Sequence, residues 1–146
     1  MTNKGSDMSF EEKSTWIYGV LSAVVSAVYF AILLVQMRRI PVSEIAYEWL
    51  MVAAVGVAVA LSVGSHIVIA VASKKEANKR DERDADIGRY GESIGGYVLA
   101  FGAVSALVLA MARFENFWIA NAIYLAFVLQ AITSSAFKAV AYRRGF

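Results

Sequence analysis

The sequence predicts an all-α integral membrane protein: a four-helix bundle with both termini cytoplasmic and a charged helical extension before its third span. Three observations predict it. First, four long stretches, residues 16–36, 49–72, 95–112 and 117–137, contain no Asp, Glu, Lys or Arg. A hydrocarbon core about 30 Å thick needs roughly 20 helical residues to cross it, and backbone groups in lipid must be satisfied within the segment, so each stretch predicts a helix. Second, the 146-residue chain is 59% hydrophobic and 18% charged, against about 25% charged residues in soluble domains. Third, eleven of the fourteen Lys and Arg fall on one side of the implied membrane, in the N-terminal arm, the central connection and the tail. Only Arg38, Arg39 and Arg113 fall on the other. The positive-inside rule then places both termini and the central connection in the cytoplasm.

Taken in order, residues 1–8 read as a flexible arm, with Met8 a second candidate start. Ser9 and Glu12 have the spacing of a capping box, which would begin the first helix in the cytoplasm about two turns before the membrane. That span is too long for a signal peptide, and no small-residue cleavage site follows before Arg38–Arg39. Trp16 and Tyr18 at its inner end, and Tyr47 and Trp49 at the outer start of the second helix, read as headgroup-zone anchors. Phe114, Phe117 and Trp118 mark the outer turn before the fourth helix, and Tyr142 and Phe146 follow that helix. The turn Arg113–Asn116 is so short that the third and fourth helices must form an antiparallel hairpin. The whole chain is one membrane domain.

Small residues recur at helical spacing: Gly19, Ala23, Ala27 and Ala31 in the first helix, Gly56, Ala60 and Gly64 in the second, Gly102, Ala106 and Ala110 in the third. In lipid such stripes let backbones approach. Packing within the bundle is the leading expectation for them, and a homo-oligomer interface the second.

Ionisable groups inside a membrane are costly and mark function. His66 is the one candidate, six residues from the inner end of the second span and so about 9 Å deep. No span supplies a carboxylate partner at its depth, so a neutral, hydrogen-bonded, structural His is expected. Asn121, Gln130 and Ser134 on the fourth helix are further intramembrane polar candidates. Gln130 and Ser134 share a face with Ala122 and Ala126 that points at protein. Interhelical hydrogen bonding is the first reading of this set, and a small polar cavity or substrate path the weaker one.

The connection 73–94 is the most distinctive segment. Six cations and six acids in Ser73–Ser93 cancel, and opposite signs sit at helix-neighbour spacing, as in Glu76–Arg80, Arg80–Asp84 and Arg89–Glu92. A solvated helix is expected from about Lys75 into the third span, with Ile87, Tyr90 and Ile94 against the headgroup zone. Interleaved signs argue against nucleic acid, which wants unopposed cations. Arginines among the acids, with no calcium-loop Gly and no His, argue against a metal. Arg80, Asp81, Glu82, Arg83 and Asp84 are therefore the candidate docking surface for a cytoplasmic or membrane protein partner, or for a second copy.

The runs FEEKSTWI, DERDADIGRYGE, FWIANAIYLAF and YRRGF resemble a family of small bacterial four-helix integral membrane proteins with a DERD-type cytoplasmic motif. The resemblance covers nearly the whole chain and is most specific over Lys79–Glu92 and Phe117–Phe127. It implies the bacterial cytoplasmic membrane as location. Members are often encoded beside small helix-turn-helix regulators, which implies a regulated accessory role, and the resemblance carries no catalytic residues.

The expected function is thus a non-enzymatic membrane accessory or regulatory protein acting through its charged helix. The alternative is a small oligomeric transporter or channel subunit, supported by the intramembrane polar set. The chain has no Cys, which removes thiolate chemistry. An intramembrane hydrolase would need a nucleophile with a base, or clustered metal ligands, and the spans offer neither. No catalytic residue, metal site or cofactor is expected.

Overall fold

The computed structural model describes residues 10–75 and 82–144. Four α-helices follow one another: α1 Phe10–Met37, α2 Tyr47–Lys75, α3 Glu82–Met111 and α4 Asn116–Arg144. All four are long and apolar enough to cross a membrane, and only 6 to 22% of each span is buried against the rest of the chain. The remaining surface is apolar too, with side chains such as Phe101, Val104 and Val108 exposed. Outward apolar faces on every helix belong in lipid. The all-α four-helix bundle is built for a membrane.

The helices run antiparallel in sequence order, so the start of α1 and the end of α4 share one end of the bundle, called here the termini end. Its opposite, the hairpin end, carries the α1–α2 connection and the α3–α4 turn. Arg143 lies 5.3 Å from the centre of the Trp16 ring, a cation–π contact tying the two ends of the chain.

α4 is the organising helix, packing on α3 along one side and on α1 along the other. Towards α3 the approach is at backbone range. A Cβ on Gly102 would collide with the Ala126 methyl, and one on Gly95 would lie 3.2 Å from the Gln130 carbonyl oxygen and the Ser134 Cβ. Gly91, Gly95 and Gly102, with the buried Ile87 and Ala106, form one stripe of α3 facing α4. Without hydrophobic drive between helices in lipid, such contacts hold by close van der Waals packing. Towards α1 the spacing is similar at one point: a Cβ on Gly19 would lie 2.9 Å from that of Ser135.

At the hairpin end α1, α2 and α4 enclose an aromatic and aliphatic core. Tyr29, Leu33, Ala54, Phe117 and Tyr124 are buried there, and Ile45 of the connection plugs it from above. The rings stack edge to face, Tyr47 on Phe117 at 5.2 Å and Tyr29 on Phe30 at 5.2 Å, the geometry aromatic quadrupoles prefer. The connection reaches this position through Pro41, extended at φ −60°, and a short 3-10 turn, Val42–Glu44.

The α3–α4 turn is a Schellman motif. Arg113 sits at φ 59°; its N–H bonds the Ala110 carbonyl at 3.1 Å and the Phe114 N–H bonds the Leu109 carbonyl at 3.1 Å. The motif favours Gly at this left-handed position, and a non-Gly residue there costs about 1–2 kcal/mol. Arg113→Gly is therefore expected to stabilise the hairpin by about 1 kcal/mol, read as a raised unfolding midpoint in detergent. A lowered midpoint would mean that the Arg113 side chain contributes more than its backbone costs.

Several expectations change. The stripe Gly56–Ala60–Gly64 does not pack within the bundle: nothing lies within 4 Å of a Cβ at Gly56 or Gly64, and Ala60 is exposed. Ala27, Ala31 and Ala110 are also exposed, so the stripes of α1 and α3 are used only in part. Lys75 belongs to α2, and residues 82–94 of the expected charged helix run continuously into the third span as part of α3; residues 76–81 lie outside the described set. Ile87, expected at the headgroup zone, is buried, and so is Phe117, expected as an outer anchor. Both were moved inward by partner helices: Ile87 shares the α3 face that meets α4, and Phe117 stacks beneath Tyr47.

Candidate functional site

α1, α2 and α4 close around a common core at the hairpin end. Towards the termini end α1 and α4 stay in contact, Gly19 with Ser135 and Trp16 with Arg143, and open space lies between them and α2. Between them lies a cleft made of two adjoining cavities. The one nearer the core has a volume of about 600 Å³ and is walled mainly by apolar side chains, among them Val25, Val55, Val59, Phe127 and Val128. The second, of about 490 Å³, lies towards the termini end and is polar, lined by Ser14, Thr15, Ser65, Ser135, Glu92 and Lys138. Tyr18, Ser62, Gln130 and Ala131 line both, so the two join at mid-depth. Gln130 precedes Lys138 by two helical turns, about 12 Å along α4. Polarity thus falls from the termini end inward. Each volume lies within the range of small-molecule sites, about 300–1,000 Å³.

Local sequence explains the walls. Hydroxyls in an apolar helix satisfy their donor on the carbonyl one turn back: Ser26 on Ser22 at 2.6 Å and Ser65 on Leu61 at 2.7 Å. These bonds satisfy the donors within the helix and leave the hydroxyl oxygens as acceptors. Small residues at Ala58 of α2 and at Ala120 and Ala131 of α4 leave the space that larger side chains would fill.

The core end of the cleft is sealed. The Tyr29 hydroxyl donates to Asn121 Oδ1 at 2.7 Å, and Asn121 Nδ2 donates to the Phe117 carbonyl at 2.8 Å. Both side chains are buried. Around them Tyr29 and Tyr124 lie 4.6 Å apart, and Phe30 and Tyr124 5.7 Å. The open end carries the charges: Lys138 Nζ lies 3.6 Å from Glu92 Oε1.

The intramembrane candidates therefore separate. Gln130 lines both cavities, and Ser134 lines the polar one while its Cβ presses on Gly95. Asn121 is a structural bond donor and acceptor in the seal. His66 lies on α2, and its side chain is outside the described set. Of the charged docking candidates, Glu82 is exposed at the first residue of α3; Arg80 and Asp81, and the side chains of Arg83 and Asp84, are outside the described set. Glu92, expected beside Arg89, reaches Lys138 of α4 instead. Among the described residues no three metal-ligand side chains gather at one point.

Sequence reasoning missed Tyr29, Lys138 and the role of Tyr18. The first carries a signal, a phenolic hydroxyl in mid-span that must find a partner in lipid. Lys138 reads in the sequence as one more inner cation, and Tyr18 as an interface ring. Compared with known proteins, the chain matches no family model, no curated protein and no solved structure.

Proposed function

We propose that this chain is a non-enzymatic accessory protein of a bacterial cytoplasmic membrane that holds an amphipathic molecule in the cleft between α1, α2 and α4. One observation carries the reading: an apolar cavity opens into a hydroxyl- and amide-lined one, with charge at the mouth. That gradient matches a molecule with an apolar tail and a polar head. The described polar side chains of the cleft are hydroxyls, an amide, an ammonium and a carboxylate, groups that can bind and orient a ligand. The termini end is taken as cytoplasmic from the cation count, and the bacterial membrane from the family resemblance of the sequence.

This reading moves the working surface from the charged connection to the bundle interior. A transport role is the alternative, and the packed core argues for holding over passage. Tyr29, Asn121 and the stacked rings close the outer half, so a ligand entering from the termini end has no open way through.

Filling the cleft tests the proposal. Ala131 lines both cavities, whereas Ala60 faces outward. The amphiphile extracted from purified Ala131→Trp is expected to fall about tenfold or more relative to wild type, the effect of about 1.4 kcal/mol of lost binding. Ala60→Trp should retain it. Equal recovery from both variants, with helicity unchanged, would remove the cleft as the site.

A further inference from the structure

We propose that the ligand of the cleft is an anionic long-chain amphiphile, with its headgroup taken by Lys138 in exchange for Glu92 and its tail in the apolar cavity. The inference rests on the cleft reading above and adds the charge of the ligand.

Lys138 and Glu92 are paired but not alike. The Lys138 side chain is 22% exposed and that of Glu92 is 71% exposed. The lysine stem runs across Gly91 of α3, where a Cβ would lie 2.6 Å from its Cγ and 3.0 Å from its Cε. Gly91 thus makes the channel in which the stem lies, and the ammonium is held at the mouth of the polar cavity. Glu92 stands mostly in solvent at 3.6 Å, near the limit for an ion pair, and such exposed pairs contribute little. The cation is fixed and its counter-ion is loose. A phosphate or carboxylate entering the cavity can displace Glu92 and gain shorter, charge-assisted bonds to a pre-positioned donor.

The surroundings favour the same sign. Among the described residues that line the cleft, Lys138 is the cation; Arg143 is held over Trp16 on the other side of α1 and α4. Ser14 and Ser135 bring hydroxyls to the same cavity, and Gln130 an amide deeper in. Beyond Gln130 the wall turns to Val55, Val59 and Phe127, which suit a tail. A cationic head would have to displace Lys138, whose stem is walled in, and would gain only the exposed Glu92.

The test uses the full chain in phosphatidylcholine nanodiscs with three photoactivatable probes that share one tail: hexadecyl phosphate, hexadecanol and hexadecyltrimethylammonium. Labelled residues are mapped by mass spectrometry, and labelling at Val25, Tyr124 and Val128, which line the apolar cavity and are buried or partly buried, is compared with that at outward-facing Val104. The phosphate is expected to label the cleft about tenfold more than the alcohol, the return from one charge-assisted contact. Lys138→Gln should abolish that excess while leaving labelling by the alcohol unchanged. Glu92→Gln should keep or raise it, which also shows that breaking the pair does not itself unfold the mouth. Equal cleft labelling by phosphate and alcohol in wild type, or a preference for the ammonium, would overturn the anionic assignment and leave the cleft reading standing. A phosphate preference that survives Lys138→Gln would overturn the role of Lys138. Cleft labelling by none of the three would overturn the cleft reading itself, and the present inference with it.

Discussion

Gly102→Leu is expected to separate α3 from α4, whereas Gly56→Leu leaves the protein folded and as stable as wild type. At Gly102 a Cβ would fall on the Ala126 methyl, with the Ala126 Cα 3.2 Å away, so the added atoms meet a methyl fixed directly to the backbone, with no torsion by which it could swing aside. Overpacking of a tight contact typically costs about 1–3 kcal/mol, so Gly102→Ala should lose that much and the leucine more. At Gly56 nothing lies within 4 Å, and the new side chain simply enters lipid. Surface substitutions of this kind stay within about 0.5 kcal/mol. Unfolding of detergent-solubilised protein by titrated dodecyl sulfate, followed by circular dichroism, measures both. Ala126→Gly should recover part of what Gly102→Ala loses, because it removes the atom that clashes. Equal midpoints for Gly102→Leu and wild type would mean that α3 and α4 do not meet along this stripe.

The second large effect lies at the seal of the cleft. Asn121→Leu leaves the buried Tyr29 hydroxyl without its acceptor and is expected to cost about 1–3 kcal/mol, the penalty of an unsatisfied buried polar group. Tyr29→Phe strands Asn121 Oδ1 instead, although Asn121 Nδ2 keeps its bond to the Phe117 carbonyl at 2.8 Å, so its loss should be the smaller. The double variant Tyr29→Phe, Asn121→Leu should lose less than the two singles together, with a coupling of about 1 kcal/mol, the scale of interhelical hydrogen bonds in membranes. Strict additivity in the same unfolding assay would mean that the two side chains do not share a bond across the bundle.

Both predictions concern pairs that no reading of one span could supply. Asn121 stood out as an amide inside an apolar helix, but its partner lies 92 residues away on α1. Gly102 and Gly56 look alike in the sequence, each the first of three small residues spaced by four. One is pressed against α4 and the other faces outward, because spacing states that a backbone can be approached and says nothing about which helix approaches it. The same gap explains the charges near the mouth. The helical spacing of Glu92 pointed to Arg89, and tertiary packing delivered Lys138.

The four helices, their order and the tight α3–α4 hairpin were legible from the pattern of apolar and charged residues along the chain. Membrane thickness sets a length, the absence of backbone partners in lipid demands a helix, and a turn of a few residues allows only antiparallel neighbours. Those constraints act along the chain, so the chain displays them. The cleft depends on constraints between helices. It exists because α1, α2 and α4 are drawn together by large rings at the hairpin end, while along the cleft Ala58, Ala120 and Ala131 leave their facing surfaces unfilled. Only the rotation of each helix about its axis decided that Gln130 and Lys138 would face one space and Gly56 would face lipid. That rotation follows from the summed packing of all four helices, a quantity no single span contains.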